Sequence, residues 1–469
     1  MRLGRLIVLA VVVLGLGAYI YFVERHKPTT DELKQRQDKI FPLLDQAKVQ
    51  RIVVTNPKGR FELKKESEVW QLVAPLADEA NSGSVTSLLS TLAGLKAERT
   101  LGKDDVKLAD FGLETPEMSV SLTDDKGVES TLSLGSEMPL GNNRAALAGG
   151  GDVVVVSKYV ATDLEKDLAG WRSNDLAQVY STDVASLTLK DATGRVALAQ
   201  AAGVWTLTEP VADLAEREKA DGVVSDISAA QIKEFVDAPG SLAELGLEPP
   251  QLEMTIVRKD NKPPIQLAFG AERDKDGVKQ RACRRGERVY WVEATAAAKA
   301  TTALAEWRAK KLVRLDTWAA DKLLLEAGKD SASLERKDGL WKAAGVEVDA
   351  DLVSRRLGVL ADMTVAAFDR PKPAGEARGH IKVTVDDGTV VEATFYPGAG
   401  DEAIAVVPGR AGALAVDAAR VDELLADPPA LAKPKPTPTP EPTAAPVATA
   451  PPVENAAPGA TAATPAPGE

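Results

Sequence analysis

Cysteine and histidine are almost missing from this chain. Of its 469 residues one is cysteine, Cys283, and two are histidine, His26 and His380. A lone thiol can close no internal disulfide and no thiolate metal cage. Two imidazoles leave little room for histidine-based catalysis. Aromatic residues make up only 4% of the chain, few for a surface that stacks sugars. Positive charge is outweighed: 57 Lys and Arg face 69 Asp and Glu, a formal net charge of −12. Such a chain repels phosphate backbones, which argues against nucleic-acid binding. The sequence contains no Walker loop, no His-Glu-x-x-His, no Gly-x-Gly-x-x-Gly and no Gly-x-Ser-x-Gly elbow. Paired carboxylates of the glycosidase kind meet in space rather than in sequence, so they remain an open alternative.

What is present is apolar content of 44%, enough chain for roughly three domains of ~150 residues, each with its own core. Near the N-terminus the run Leu6 to Val23 carries no charge. As a helix it would span about 27 Å, close to the hydrocarbon thickness of a bilayer. Arg2 and Arg5 precede it, and Tyr19 and Tyr21 sit at the interfacial position. No small-residue cleavage site stands where the run ends at Glu24-Arg25-His26-Lys27, so an uncleaved signal anchor over residues 1–28 is expected. Arg25, Lys27, Lys34 and Arg36 follow the run, which balances the charge count across it. The length of the following chain favours an extracytoplasmic body. Residues 29–40 read as a short polar helix, capped by Thr30 or Asp31, that lifts the next domain off the bilayer.

Self-similarity dominates the remainder. Val69-Trp70-Gln71-Leu72, Val204-Trp205-Thr206-Leu207 and Leu340-Trp341-Lys342-Ala343 recur at a spacing of about 135 residues. At the same offset Ile52-Val53-Val54-Thr55 matches Leu187-Thr188-Leu189-Lys190 and Leu323-Leu324-Leu325-Glu326. Phe111-Gly112-Leu113-Glu114-Thr115-Pro116 matches Leu245-Gly246-Leu247-Glu248-Pro249-Pro250, Leu132-Ser133-Leu134-Gly135 matches Leu267-Ala268-Phe269-Gly270, and Trp171-Arg172 matches Trp307-Arg308. An ordered series at one offset defines a repeat.

The local patterns give an α+β module of order βββ-α-ββββ-α, present three times: residues 41–174, 175–310 and 311–431. The helix is signalled by Val85, Leu88, Leu89, Leu92 and Leu95, one face at i, i+3, i+4, i+7 spacing. A closing helix is expected from Val160 to Leu168. Asp338-Gly339 is expected to turn a hairpin in the third copy. That copy is divergent, with Arg370-Pro371-Lys372-Pro373 where the others carry Gly-Leu-x-x-Pro. Residues 432–469, rich in Pro, Ala and Thr, are expected to be a disordered tail of polyproline-II character.

Several groups are weighed as sites and none is assigned a catalytic, cofactor or metal role. The repeated tryptophans are expected in the core. Glu272, Asp274, Asp276 and Gly277 imitate part of a calcium loop, but the twelfth position is Cys283 rather than Glu, so a polar hairpin turn is expected. Arg281, Arg284, Arg285 and Arg288 form a basic cluster, able to meet an acidic partner or a lipid head group but better explained as a solvated hairpin. Cys283 reads as an inert buried thiol and His380 as structural.

The anchor, the tryptophan strands, the Gly-Leu-x-x-Pro turns, the strand-ending glycines and the Trp-Arg pairs together resemble the bacterial family called domain of unknown function 4340, over most of Lys39 to Leu431. The resemblance supplies no catalytic residue to carry over. Members of that family often occur beside ABC-type export permeases, including components resembling gliding-motility auxiliary transporters. The resemblance therefore implies an accessory role in an envelope complex. The expected function is a periplasmic, non-catalytic binding or scaffold protein, held to the cytoplasmic membrane by residues 6–23, with an ABC transporter permease or another envelope protein as partner. An envelope hydrolase using acidic residues and a passive structural spacer are the alternatives.

Overall fold

The computed structural model describes residues 39–102, 106–139 and 142–435. The expected anchor, nearly all of the juxtamembrane segment and the tail beyond residue 435 lie outside the described residues. Among the described residues no helix is long and apolar enough to cross a membrane.

Three nine-stranded antiparallel sheets follow one another along the chain. The first module holds β1 (Val49–Asn56), β2 (Gly59–Glu66), β3 (Val69–Ala74), β4 (Asp78–Glu79), helix α1 (Ser82–Gly94), β5 (Arg99–Leu101), β6 (Met118–Asp124), β7 (Glu129–Glu137), β8 (Asn143–Ala148), β9 (Val153–Ser157) and the short helices α2 (Tyr159–Leu164) and α3 (Leu168–Trp171). Its strand order is β4-β3-β2-β1-β6-β7-β8-β9-β5.

The second module repeats this order with β10 (Val184–Asp191), β11 (Arg195–Ala201), β12 (Val204–Glu209), β13 (Asp213–Leu214), α4 (Arg217–Ala229), β14 (Ile232–Val236), β15 (Leu252–Arg258), β16 (Ile265–Lys275), β17 (Val278–Arg285) and β18 (Arg288–Glu293). The third does so with β19 (Ala320–Ala327), β20 (Asp330–Lys337), β21 (Leu340–Ala343), β22 (Val346–Glu347), α5 (Ala350–Asp362), β23 (Val365–Arg370), β24 (Gly379–Val385), β25 (Val390–Pro397), β26 (Glu402–Val406), β27 (Ala413–Asp417), α6 (Ala418–Leu425) and α7 (Pro428–Leu431). The fold is thus mostly β with few helices.

By packing, the chain divides into two compact units. One holds the chain up to Val211 with Ala215–Arg308, and the other holds Ala212–Leu214 with the chain from Ala309.

Two strands per module were not expected. The pair Asp78–Glu79 and the triplet Arg99–Leu101 are too short to show alternation, and they join the sheet through backbone pairing with β3 and β9. The closing helix expected over Val160 to Leu168 is broken in two. The Asp167 carboxylate accepts from the Gly170 amide at 3.0 Å and so caps a new helix. In the second module the corresponding stretch holds only 3₁₀ turns at Ala294–Ala297 and Leu304–Glu306.

Each module has its own core. Helix α1 buries Val85, Leu88, Leu89 and Leu92 together with Ile52, Val54, Leu63, Leu72 and Trp70 of the sheet. Each such side chain stabilises the fold by roughly 1.5–3 kcal/mol. Helix α4 repeats the face with Ala220, Val223, Val224 and Ile227, and α5 with Val353, Leu357 and Leu360. Asn81 caps α1 by accepting from the Ser84 amide at 2.9 Å. Asp338 and Gly339 form a two-residue turn with positive φ at both positions, as the hairpin required.

The Gly-Leu-x-x-Pro segment forms a second, outer layer. Leu113 and Leu247 are buried in small clusters separate from the main cores, beside Ala145 and Val153 in one case and Ala282 and Val289 in the other. The chain reaches this position through Gly112 and Gly246, both at φ +64°. It also explains the repeated strand-ending glycine. A Cβ on Gly135 would overlap the carbonyl oxygen of Phe111, and one on Gly270 would overlap that of Leu245. The third module has no such segment between β23 and β24, which accounts for its shorter length.

Candidate functional site

The strongest concentration of buried charge in the first unit lies where its two modules meet. Arg172 closes the first module: the Trp171 carbonyl accepts from the Asn81 amide at 2.9 Å, and Ser173 donates to the Glu79 carbonyl at 2.8 Å. These bonds fix Arg172 beside strand β4. Its side chain is only 2% exposed, and its Nε donates to Asp78 Oδ2 at 2.7 Å. The same guanidinium reaches the second module. Nη1 donates to Asp237 Oδ1 at 2.6 Å, and the plane lies 3.8 Å from the centre of the Phe235 ring. Arg288, at the start of β18, returns the contact by donating to the other oxygen of Asp78. The Asp78 carboxylate therefore accepts from one arginine of each module.

This corrects the reading of the cluster Arg281, Arg284, Arg285 and Arg288 as a solvated hairpin at three of its four members, Arg281, Arg285 and Arg288. Arg288 is bound to Asp78, and Arg285 Nη1 donates to the Leu176 carbonyl. Arg281 donates to the Gly270 carbonyl at 3.1 Å and lies over the Phe269 ring. The cluster is largely internal bracing. Burial pushes the phenol of the neighbouring Tyr290 above its ordinary value.

Beside this junction runs a groove of about 760 Å³, walled by Glu66, Val69, Gln71 and Glu79 of the first module and by Arg258, Lys262, Ile265 and Arg285 of the second. Both signs of charge and some apolar surface are present. A second groove, of about 700 Å³, lies within the second module between Tyr180–Thr182, the Gly203 turn and α4. Its one carboxylate, Asp221, accepts from Ser181, from Trp205 Nε1 at 2.8 Å and from Arg217 Nε at 3.2 Å. Burial alone would raise its pKa, but these bonds outweigh burial and hold it below the usual carboxylate range. An ionised carboxylate with three donors is poorly suited to proton transfer near neutral pH.

The other singled-out residues are structural. Trp70, Trp205 and Trp341 are buried in the three cores, as expected. Asp276 and Gly277 form the two-residue turn between β16 and β17, with Glu272 opposite Arg281 in the ladder. Cys283 is fully buried and its thiol is pushed up to about 12 by desolvation, which removes its nucleophilic form. His380 lies between Glu326, at 3.4 Å from Nδ1, and Glu392, at 3.2 Å from Nε2, in a cross-strand cluster on β24.

Asp78, Phe235 and Asp237 were not anticipated. A signal existed for Asp78, since Asp213 stands 135 residues further on in the equivalent short strand. Within the second unit, which includes Ala212–Leu214, Asp213 pairs with Arg410, and Arg410 also donates at 2.8 Å to the carbonyls of Ala309, Lys311 and Leu312. An acidic residue in the short strand, paired to an arginine on a hairpin, is therefore used twice.

These features define a tandem-repeat β protein whose first two modules are braced by buried charges. The family model described as Domain of unknown function (DUF4340) matches residues 70–240 and again 205–380. Together the two matches span more than half of the chain, and the protein belongs to this family. The matches begin at Trp70 and Trp205, one structural period apart, so the family unit starts at the tryptophan strand and runs across the boundary between modules. No curated protein matches the chain. No solved structure matches it either.

Proposed function

We propose that this protein is a non-catalytic, extracytoplasmic binding or scaffold protein, anchored in the cytoplasmic membrane through residues 6–23 and accessory to an ABC-type export or other envelope complex. The carrying observation is the junction in the first unit. Asp78, Arg172, Arg288 and Asp237 fix the two modules against each other, and the groove beside them takes a wall from each. A surface assembled from two braced modules is preorganised for a protein partner, because little ordering cost is left for binding. Its mixed charge suits a polar protein segment rather than a nucleic acid. The uncharged run Leu6 to Val23 supports the anchor.

The test is purification of the full-length protein from native membranes in mild detergent, with mass spectrometry of what accompanies it. A chain retaining the N-terminal 39 residues but lacking the modules serves as control. An ABC permease or its partner proteins should co-purify with the intact chain and be lost with Lys262→Glu together with Gln71→Arg, which alter both walls of the groove. Recovery of nothing specific, even after cross-linking, removes the accessory reading and leaves the passive spacer and the acidic envelope hydrolase.

A further inference from the structure

We propose that the groove where the chain enters the first module is a lipid-contact site, which seats this module on the surface of a phospholipid bilayer. The inference rests on the anchor reading given above and deepens it. Leu43 is 87% exposed, the most exposed large apolar residue among those described, and Val128 is 58% exposed. Both line one groove of about 470 Å³, together with Ile40, Phe41 and Leu44. A single exposed leucine is ordinary, but apolar residues from two separate loops around one groove mark an interaction surface.

Two observations select the occupant. The first is the distance along the chain. The uncharged run ends at Val23 and the described chain begins at Lys39, so the intervening segment reaches at most about 55 Å even when fully extended. The groove is thereby held at high effective concentration next to the bilayer. The second is charge. Four charged residues line the groove: Lys48 pairs with Asp45 at 3.3 Å, which leaves Lys126, beside Asp124, as the lysine available to a head group. Asp124, the acidic neighbour of Lys126, uses Oδ1 to accept the backbone amides of Lys126 and Val128 at 2.9 and 2.8 Å. The Lys126 ammonium has no ion-pair partner among the described residues. Exposed apolar side chains with an unpaired lysine at their edge fit the boundary between acyl chains and phosphate head groups. On this account the segment after the anchor tethers the module close to the membrane rather than lifting it away.

The experiment uses the full chain in vesicles of phosphatidylethanolamine and phosphatidylglycerol. An environment-sensitive fluorophore is placed by Pro42→Cys, with Val278→Cys on the β16–β17 hairpin as the reference position. The buried Cys283 thiol competes poorly for the label. The probe at position 42 should shift to the blue, gain intensity severalfold and be quenched by brominated acyl chains, while the probe at 278 stays water-like. Leu43→Glu with Val128→Glu should abolish the shift without preventing flotation. A water-like probe at 42 on protein that floats with the vesicles overturns the lipid contact and leaves the anchor intact. Failure to float overturns the anchor and the contact with it. A blue shift that brominated chains do not quench means that protein, such as a second copy, covers Leu43, and this also overturns the proposal.

Discussion

Single residues carry much of the repeat. Gly135 and Gly270 stand where their strands pass under a carbonyl oxygen of the outer layer, so any side chain forces the two apart. Gly135→Ala and Gly270→Ala should each destabilise their module by about 1–3 kcal/mol. Hydrogen exchange should localise the loss to the segments around Leu113 and Leu247. The hairpins between the second and third strands offer the opposite case. Ala202-Gly203 and Asp338-Gly339 place glycine at the second turn position, whereas the first module uses Ser67 and Glu68, both at positive φ. A left-handed non-glycine residue costs roughly 1–2 kcal/mol. Glu68→Gly should therefore raise the stability of the first module by about 1 kcal/mol in denaturant titration, less the small contribution of its exposed contact with Lys65. Tryptophan position matters in the same way. Trp341→Ala should cost about 3–5 kcal/mol because the ring is buried. Trp318→Ala, at a site 73% exposed, should stay within about 0.5 kcal/mol.

At the scale of elements, apolar periodicity was legible and polar tethering was not. The face of α1 and the alternation of the long strands follow from spacing alone, and the three cores lie where that spacing puts them. The edge strands carry no such pattern: Asp78–Glu79 and Arg99–Leu101 are strands only because a neighbour supplies the hydrogen bonds. The bond between α1 and α2 was equally hidden. Asp163 accepts from Ser87 at 2.9 Å, Thr91 at 2.6 Å and Lys166 at 2.6 Å, joining residues more than seventy positions apart. Burial by itself would raise the Asp163 pKa, but the three bonds outweigh it and hold the carboxyl below its ordinary 3.8. A carboxyl whose folded pKa is depressed binds fewer protons folded than unfolded. Its stabilisation is complete above about pH 4 and is lost as the pH falls through the lowered value. Asp163→Asn should therefore lower thermal stability at neutral pH and flatten the decline of stability in acid. An unchanged acid profile would show that Asp163 does not hold the two helices together.

At the scale of the whole molecule, the order of the landmarks was legible because each module repeats them, but the joint between modules was not. Trp171-Arg172 stood out as a repeated pair, yet its partners Asp78, Asp237 and Phe235 come from two different modules, and no spacing connects them. Burying a charge network of this kind does not itself guarantee stability, since desolvation offsets much of the attraction. Removing one partner is another matter. Asp78→Ala leaves Arg172, almost fully buried, without the carboxylate that faces its Nε, and should cost about 3–5 kcal/mol. Asp237→Ala should cost less, because that carboxylate is half exposed and water can replace it. Asp78→Leu combined with Arg172→Met removes both buried charges and should recover most of the loss, with Arg288 free to turn to solvent from its partly exposed site. Calorimetry of the full chain decides the matter. If the network couples the first two modules, they should unfold in one transition in the native protein and in two after Asp78→Ala. If Asp78→Ala leaves one transition at the native temperature, the coupling resides in the surrounding backbone bonds, and the groove beside the junction keeps its shape without these charges.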